Sequence, residues 1–447
     1  MFPSGRYPGG RAANKLSAAR AAAGSRPFGC GCRVVAVGVR GSPPRIIVTS
    51  LWLVLMAGAN LATPLYPVYA DRFRFSSLVL TSIFATYAFV LVPTLILFGR
   101  LSDRFGRRPV IVTGLGAACA ALLLFAFAQS AAWLYAARAL QGLAVGMVSG
   151  AATAALVELD PGRDHRRAAL LAGLAQAGGS AAGPALGGAL AAWAPEPLRL
   201  CFLVGLGLTV AAAASTVLLP EAAVGEREPW RIQRPRVPRS IRGRFARVSL
   251  TAATVWAVAA LYLSIVPSYA ARLLHTHNLA LLAAISAIGL ATSFLTQIAS
   301  ERRRPSVHLS QAAGLLVLSA GLVSLVLATP LQSLPLLLVG SVVAGAGHGV
   351  AFLNAQQELN EIAPVEHRGE VTAAFIACIY FLVATAVIGT GVLDLRFSLS
   401  AAVASVAVVL LAGALLAAAW SLAAAVGRSE PTRARGRIRA NPTGGKC

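Results

Sequence analysis

The chain has 447 residues, 57% of them hydrophobic and only 12% charged, with a mean hydropathy of +0.71. Soluble domains carry about 25% charge, so half the usual charge is missing and a water-soluble fold with several separate cores is excluded. The formal net charge of +23 raises the question of nucleic acid, but the arginines stand between apolar runs and in the two tails rather than along one face, so no nucleic-acid partner is expected.

Residues 1–44 are rich in Arg, Gly, Ala and Pro and hold no acid; they read as a basic, disordered cytoplasmic tail. Apolar runs follow at 46–69, 77–98, 109–128, 132–157, 168–193, 199–219, 248–270, 279–299, 309–328, 335–358, 371–392 and 399–426. Each has roughly the 20-residue length that crosses a bilayer's hydrocarbon. The segment 221–247, with Pro229, Pro235, Pro238 and eight arginines, divides them six and six. The expected organisation is a bundle at 45–220, a basic cytoplasmic linker, a second bundle at 248–426 and a basic tail at 427–447. Paired run lengths suggest a duplicated carrier, although little sequence similarity between the halves is expected. The fold class is therefore an all-α integral membrane protein of twelve transmembrane helices in two six-helix bundles.

Orientation follows from the basic residues. Counting alternate connections from the N-terminal tail, only Arg72, Arg74, Arg199, Arg272 and Arg396 fall in the other set, and Arg138 alone lies inside a run. All remaining basic residues share the side of the two tails, which places both termini in the cytoplasm of a plasma-membrane protein. Of the cysteines, Cys119, Cys201 and Cys378 lie in apolar runs, while Cys30, Cys32 and Cys447 lie in the tails. They form no disulfide framework and no metal site.

Three motifs carry chemistry. Gly99-Arg100-Leu101-Ser102-Asp103-Arg104-Phe105-Gly106-Arg107-Arg108-Pro109 joins the second and third helices. Gly99 permits close helix approach, and Gly106 supplies a permissive backbone for a tight turn. Asp103 is the single acid among the arginines and needs a structural partner. In the fourth helix, Arg138-Ala139-Leu140-Gln141-Gly142, with Gly146 four residues on, puts a costly charge in a span; it either serves function or snorkels to the nearer surface. In the fifth, Gly179-Ser180-Ala181-Ala182-Gly183-Pro184-Ala185-Leu186-Gly187-Gly188 offers a flat face for helix packing.

These motifs resemble the loop signature G-x-L-(A/S)-D-R-x-G-R-(R/K), the R-x-x-Q-G-x-x-x-G motif and the antiporter-associated G-x-x-x-G-P-x-x-G-G signature of the major facilitator superfamily, in particular its twelve-helix drug:proton antiporter branch. The resemblance implies two bundles that rock about a central site. It makes Gly99, Asp103, Arg104, Gly106, Arg107 and Arg108 a cytoplasmic gate. There the arginines would pair with the acidic end of the fourth helix, Glu158 to Asp160, and Asp103 would face the start of the eleventh helix near Gly369–Val371. It also brings the first and fourth helices together, so that Asn60 is the expected neighbour of Arg138. The loop after the eighth helix, Ala299 to Pro305, lacks the motif's glycines and aspartate.

No Asp or Glu stands in the middle of a run; Glu158 and Glu358, late in their helices, come nearest. The first helix, where many such antiporters hold an acid, offers Asn60, Thr63, Tyr66, Pro64 and Pro67 instead. His348, in Gly345-Ala346-Gly347-His348-Gly349, is the one histidine inside a run. It can carry a proton, bind substrate, or be a neutral core residue. Asn354, Gln356 and Gln357 follow it and suggest a cavity-lining helix. Asn60, Tyr66, Arg138, Gln141, His348 and Asn354 are thus the candidates for cavity and proton coupling, and Gly179, Gly183, Pro184, Gly187 and Gly188 for packing. No catalytic constellation or phosphate loop occurs, so neither enzyme activity nor a cofactor is expected. The expected function is proton-coupled export of a small apolar or amphipathic molecule by a monomer in the bilayer; a proton-linked importer or uniporter of a small metabolite is the alternative.

Overall fold

The computed structural model of the protein describes residues 43–438, apart from 99–100, 161, 163–164, 194–195, 221–234, 277 and 304–305. The expected N-terminal tail up to residue 42, the gate glycine Gly99 and much of the linker lie outside the described residues. Every regular element among the described residues is helical.

The first span is broken. It runs as Pro43–Asn60, passes through a 3-10 turn at Thr63–Leu65 and resumes as Tyr66–Phe73. Pro64 and Pro67 cause this, because each lacks the N–H that a continuing helix needs and each suits the first turn of a new one. The second to sixth spans are Ser77–Phe98, Arg107–Ala126, Ala131–Glu158, His165–Trp193 and Pro197–Ser215. The seventh is broken like the first, into Arg242–Ser264 and Val266–Leu273 around Pro267. The remaining spans are Leu279–Arg303, Val307–Leu331, Leu334–Ile362, Arg368–Asp394 and Leu399–Ile438. All twelve expected spans are present. Among the described residues eleven of them are long and apolar enough to cross a membrane; the fifth, 29 residues long, is diluted by glycine. Two boundaries differ from expectation: the seventh helix begins at Arg242, inside the segment read as linker, and the twelfth continues past 427 to Ile438.

The two breaks expose a repeat that the run lengths only hinted at. Pro67, Tyr69, Ala70 and Arg72 recur as Pro267, Tyr269, Ala270 and Arg272, 200 residues on. Tyr69 and Tyr269 are both buried, and the Tyr69 hydroxyl donates to the Phe125 carbonyl at 3.0 Å.

Helix 5 lies along helix 8, and helix 2 along helix 11, joining the first half to the second. Within the first half, helix 5 also lies along helix 1. Large apolar side chains such as Phe89, Leu208, Leu295, Phe381 and Val409 face outward. An apolar outside of this extent requires lipid rather than water.

Candidate functional site

Arg138 lies in the first half and is only 2% exposed. Its position follows from the break in helix 1. A helix ending at Asn60 leaves its last carbonyls without intrahelical donors and with partial negative charge. Arg138 Nη1 donates to the Ala59 carbonyl at 2.7 Å, and Gln141 Nε2 donates to the Gly58 carbonyl at 3.2 Å. Gln141 Oε1 in turn accepts from Arg138 Nη1 at 2.8 Å. Arg138 Nε donates to the Tyr66 hydroxyl at 2.5 Å, and Nη2 reaches the same oxygen. The guanidinium also sits over the rings of Tyr66, Phe84 and Phe125, 5.3, 5.3 and 5.8 Å from their centroids. A desolvated cation–π contact contributes about 2 kcal/mol. The charge is thus held by a helix end and aromatic faces rather than by a carboxylate, and burial this complete excludes snorkelling. Asn60 is not its partner: the Asn60 amide donates back to the Met56 carbonyl at 2.9 Å and lies 3.5 Å from the Ser180 hydroxyl.

The same motif fixes how helix 4 seats on helix 2. A Cβ on Gly142 would lie 2.5 Å from the Tyr87 carbonyl oxygen, and one on Gly146 2.7 Å from Thr94 Cβ. Helix 5 meets helix 1 in the same way. A Cβ on Gly179 would lie 2.6 Å from Met56 Cβ, and one on Gly183 2.5 Å from the Ala57 carbonyl oxygen. Gly187 continues this face against Leu61 and Pro64, whereas Gly188 turns towards Leu279 and Ala283 of helix 8. Helix 5 runs through a buried Pro184.

In the second half His348 is 4% exposed. Its Nδ1 lies 2.8 Å from the Ser293 hydroxyl, which accepts from Gln297 Nε2 at 3.3 Å. Its ring meets Trp256 edge-on at 5.3 Å. Asn354 is buried and donates to the Val350 carbonyl at 2.8 Å; this back-bond to its own helix occupies the amide expected to line a cavity.

At the end of the bundle where helix 1 begins, Gly106 adopts φ 89° and turns the short 101–105 helix into the third span. Arg107 organises the loop. It bonds Asp103, donates to the Ser102 hydroxyl at 2.5 Å, and reaches Glu158 at 2.7 Å through Nη2. The link from the loop to the end of helix 4 is therefore made through Glu158. Asp103 is taken up by Arg107 within the loop instead of addressing helix 11, and Arg104 lies 5.5 Å from the Phe105 ring centroid. Arg108 is partly buried beside them.

Asp160, expected in that loop cluster, is bonded to Arg45 at the start of helix 1, with both side chains nearly buried. The second half holds a counterpart that the sequence reading missed. Arg247, at the start of helix 7, is bonded to Glu358 near the end of helix 10, with side-chain exposures of 3% and 2%. Gln311 Nε2 donates to Glu358 Oε2 at 2.9 Å, His308 Nδ1 lies 3.5 Å from that oxygen and 2.9 Å from Arg247 Nη1, and Ser421 lies 3.4 Å from Gln311 Oε1. Arg45 and Arg247 head the first helix of their halves, and Asp160 and Glu358 stand at the ends of the fourth. The Pro67/Pro267 repeat was the available signal, since it aligns helix 1 with helix 7. Among the described residues no group of three or more His, Cys, Asp or Glu is arranged to hold a metal.

Comparison with known proteins fits this architecture. Residues 49–318 match the Major Facilitator Superfamily. Over 180 residues the chain is 32% identical to the class C tetracycline resistance protein of Escherichia coli, covering 38% of this chain and 43% of that protein. Over 155 residues it is 28% identical to the bacillibactin exporter of Bacillus subtilis, covering 33% and 39%. The multidrug efflux pump LfrA of Mycolicibacterium smegmatis is 34% identical over 125 residues, 28% of this chain and 25% of that one. The aligned regions thus span less than half of these relatives. The structure superposes on the nucleoside transporter NupG with a TM-score of 0.65 over 85% of this chain and 99% of that one, at 11% identity. It superposes on an inward-facing bacterial homologue of the lysosomal transporter Spinster with a TM-score of 0.63 over 86% and 98%, at 17% identity. At such identities the likeness is one of fold.

Proposed function

The chain belongs to the Major Facilitator Superfamily, and on that premise we propose that it exports small apolar or amphipathic compounds in exchange for protons. The observation that carries the reading is the fifth-helix run Gly179–Gly188, which resembles the antiporter-associated signature and seats Gly179, Gly183 and Gly187 against helix 1. Similarity to tetracycline and multidrug efflux proteins supports the same direction of transport.

In this reading the halves 45–220 and 248–426 rock about a central site, and the protein works as a monomer in the plasma membrane. The distribution of arginines supports cytoplasmic termini. Arg138, with Tyr66 and Gln141, fixes a positive charge in the first half, and His348 is the titratable candidate in the second. Arg107, bridging Asp103 and Glu158, gates the cytoplasmic end. A proton-independent carrier is the second reading, favoured by Asn60 standing in the first helix where many such antiporters hold an acid. Everted membrane vesicles separate the two readings. Export coupled to protons requires that an acid lumen drive uptake of tetracycline or ethidium, and that a protonophore abolish it. Uptake indifferent to the gradient refutes proton coupling, and movement only in the opposite direction refutes export.

A further inference from the structure

Two seams join the halves: helix 5 lies along helix 8, and helix 11 along helix 2. Helices 5 and 11 are each the fifth of their half, and helices 8 and 2 each the second, so the two seams are counterparts under the repeat. The glycine signature marks only the first of them. There Gly188, near the end of helix 5, meets Leu279 and Ala283 at the start of helix 8. On the other seam Gly391, in the last turn of helix 11, rests on the start of helix 2. A Cβ on Gly391 would overlap Thr81 Oγ1, and would stand 2.9 Å from Leu78 Cα and 3.2 Å from the Ser77 carbonyl oxygen. Gly391 and Thr81 are both buried. The Thr81 hydroxyl is fixed by its bond to the Leu78 carbonyl at 3.0 Å. No sequence motif marks this second glycine.

Both contacts lie at the end of the bundle away from the 101–105 loop. At that end the second pieces of the broken helices, Tyr66–Phe73 and Val266–Leu273, also touch each other, and the Thr63–Leu65 turn touches helix 8. Towards the loop the seams pass to side chains. Helices 5 and 8 meet there through Phe294 against Gly178 and Gln297 against Gly173. Helices 2 and 11 meet through Tyr87 and Tyr380, whose rings stand edge-on with centroids 6.0 Å apart. At the loop itself Asp103 is bonded to Arg107 rather than to helix 11. The halves are therefore drawn tightest at the far end. A glycine seated on a backbone has no rotamer with which to adjust, so such a contact is either made or broken.

We propose that Gly391 and Thr81 are positioning residues for transport: their contact completes a far-end seal on the seam without a signature, and making or breaking it sets which end of the bundle is open. The proposal rests on the transporter reading for its purpose but not for its test. The test uses the purified full chain in detergent, with neither substrate nor gradient, so a failure of gradient-driven transport bears on the export reading alone.

Two reporter cysteines, each introduced alone after the six native cysteines are changed to serine, follow the two ends. Ser77→Cys lies under Gly391, where Ser77 is 9% exposed. Ile376→Cys lies on the loop side of Tyr380; Ile376 is partly buried and packs against the core of the first half as well as that of its own. Without further change, a maleimide should label position 376 faster than position 77. Gly391→Ala overpacks the seal and should speed labelling at 77 about fivefold while slowing it at 376 by a similar factor. Adding Thr81→Ala, which removes the nearest atom, should move both rates back towards their starting values. Gly389→Ala, whose Cβ would meet nothing within 4 Å, should change neither rate. Labelling at 77 as fast as at 376 in the starting chain, a comparison that needs no seam variant, would overturn the closed far end. Faster labelling at 77 with no change at 376 would overturn the proposal as well, since it would leave Gly391 a matter of local packing.

Discussion

Replacing Glu358 by Gln tests whether the interior ion pair of the second half outweighs the surface network of the first. Glu358 and Arg247 are 2% and 3% exposed, so solvent screens neither. Removing one member of such a pair strands the other and costs about 3–5 kcal/mol. The amide also places an N–H₂ group where Arg247 and Gln311 already supply donors. Glu158 and Arg107 form a pair of similar geometry, but at 40% and 19% exposure it contributes only about 0–1 kcal/mol. Unfolding in mixed detergent and SDS, followed by tryptophan fluorescence, should therefore give a loss of several kcal/mol for Glu358→Gln and about 1 kcal/mol or less for Glu158→Gln. The double substitution Arg247→Met, Glu358→Met should recover more than half of the larger loss, because it removes both charges from the interior. Equal losses in the two single variants would refute the argument, as would a double variant no better than Glu358→Gln.

Arg138→Lys keeps the charge but not the planar fork; it should express normally and transport at least tenfold more slowly, and full activity would remove Arg138 from the mechanism. Tyr66→Phe, which takes away the oxygen shared by Nε and Nη2, should show the same defect in milder form. Arg107→Ala cuts the link between the 101–105 helix and Glu158, so a cysteine placed in the cytoplasmic half of the cavity should label faster while unfolding shifts by about 1 kcal/mol or less; unchanged labelling with unchanged flux would reduce the loop to a topological anchor. A C-terminal alkaline phosphatase fusion should be inactive in cells, and strong activity would overturn the cytoplasmic placement of the termini.

The fold was legible because the bilayer imposes one length on every span, and runs of that length survive any choice of apolar side chain. The loop and the glycine face were legible for a similar reason: close approach tolerates few residue types. Side-chain partnerships were harder to read. Arg45 and Asp160 are 115 positions apart, and Arg247 and Glu358 are 111 apart; their pairing depends on how each helix is rotated. In the sequence both arginines read as topology charges. Arg138 was recognised as special, yet its partners include the Ala59 backbone carbonyl, freed by a helix break, and side-chain patterns do not register carbonyls. Asn60, expected beside Arg138, instead bonds back to the Met56 carbonyl of its own helix, an option open to any helical asparagine.

The glycine face of helix 5 also bears on how the protein can be stopped. On one side, Gly179 and Gly183 key into the backbone of helix 1, where even a methyl group has no room. On the other, helix 8 offers mostly side chains: Phe294 lies 3.4 Å from a Cβ placed on Gly178 and Gln297 3.7 Å from one on Gly173, although the seam closes up tightly at Gly188, against Ala283 and Leu279. Interlocked backbones resist sliding, whereas side chains can exchange rotamers as they pass. The slip plane between the halves should therefore lie along the 5–8 seam, with helix 5 travelling as part of helix 1's rigid unit. A wedge such as a nanobody loop or a lipid-like inhibitor lodged in that seam should arrest the cycle in one conformation, whereas the same wedge between helices 1 and 5 would pry open the unit that has to stay whole.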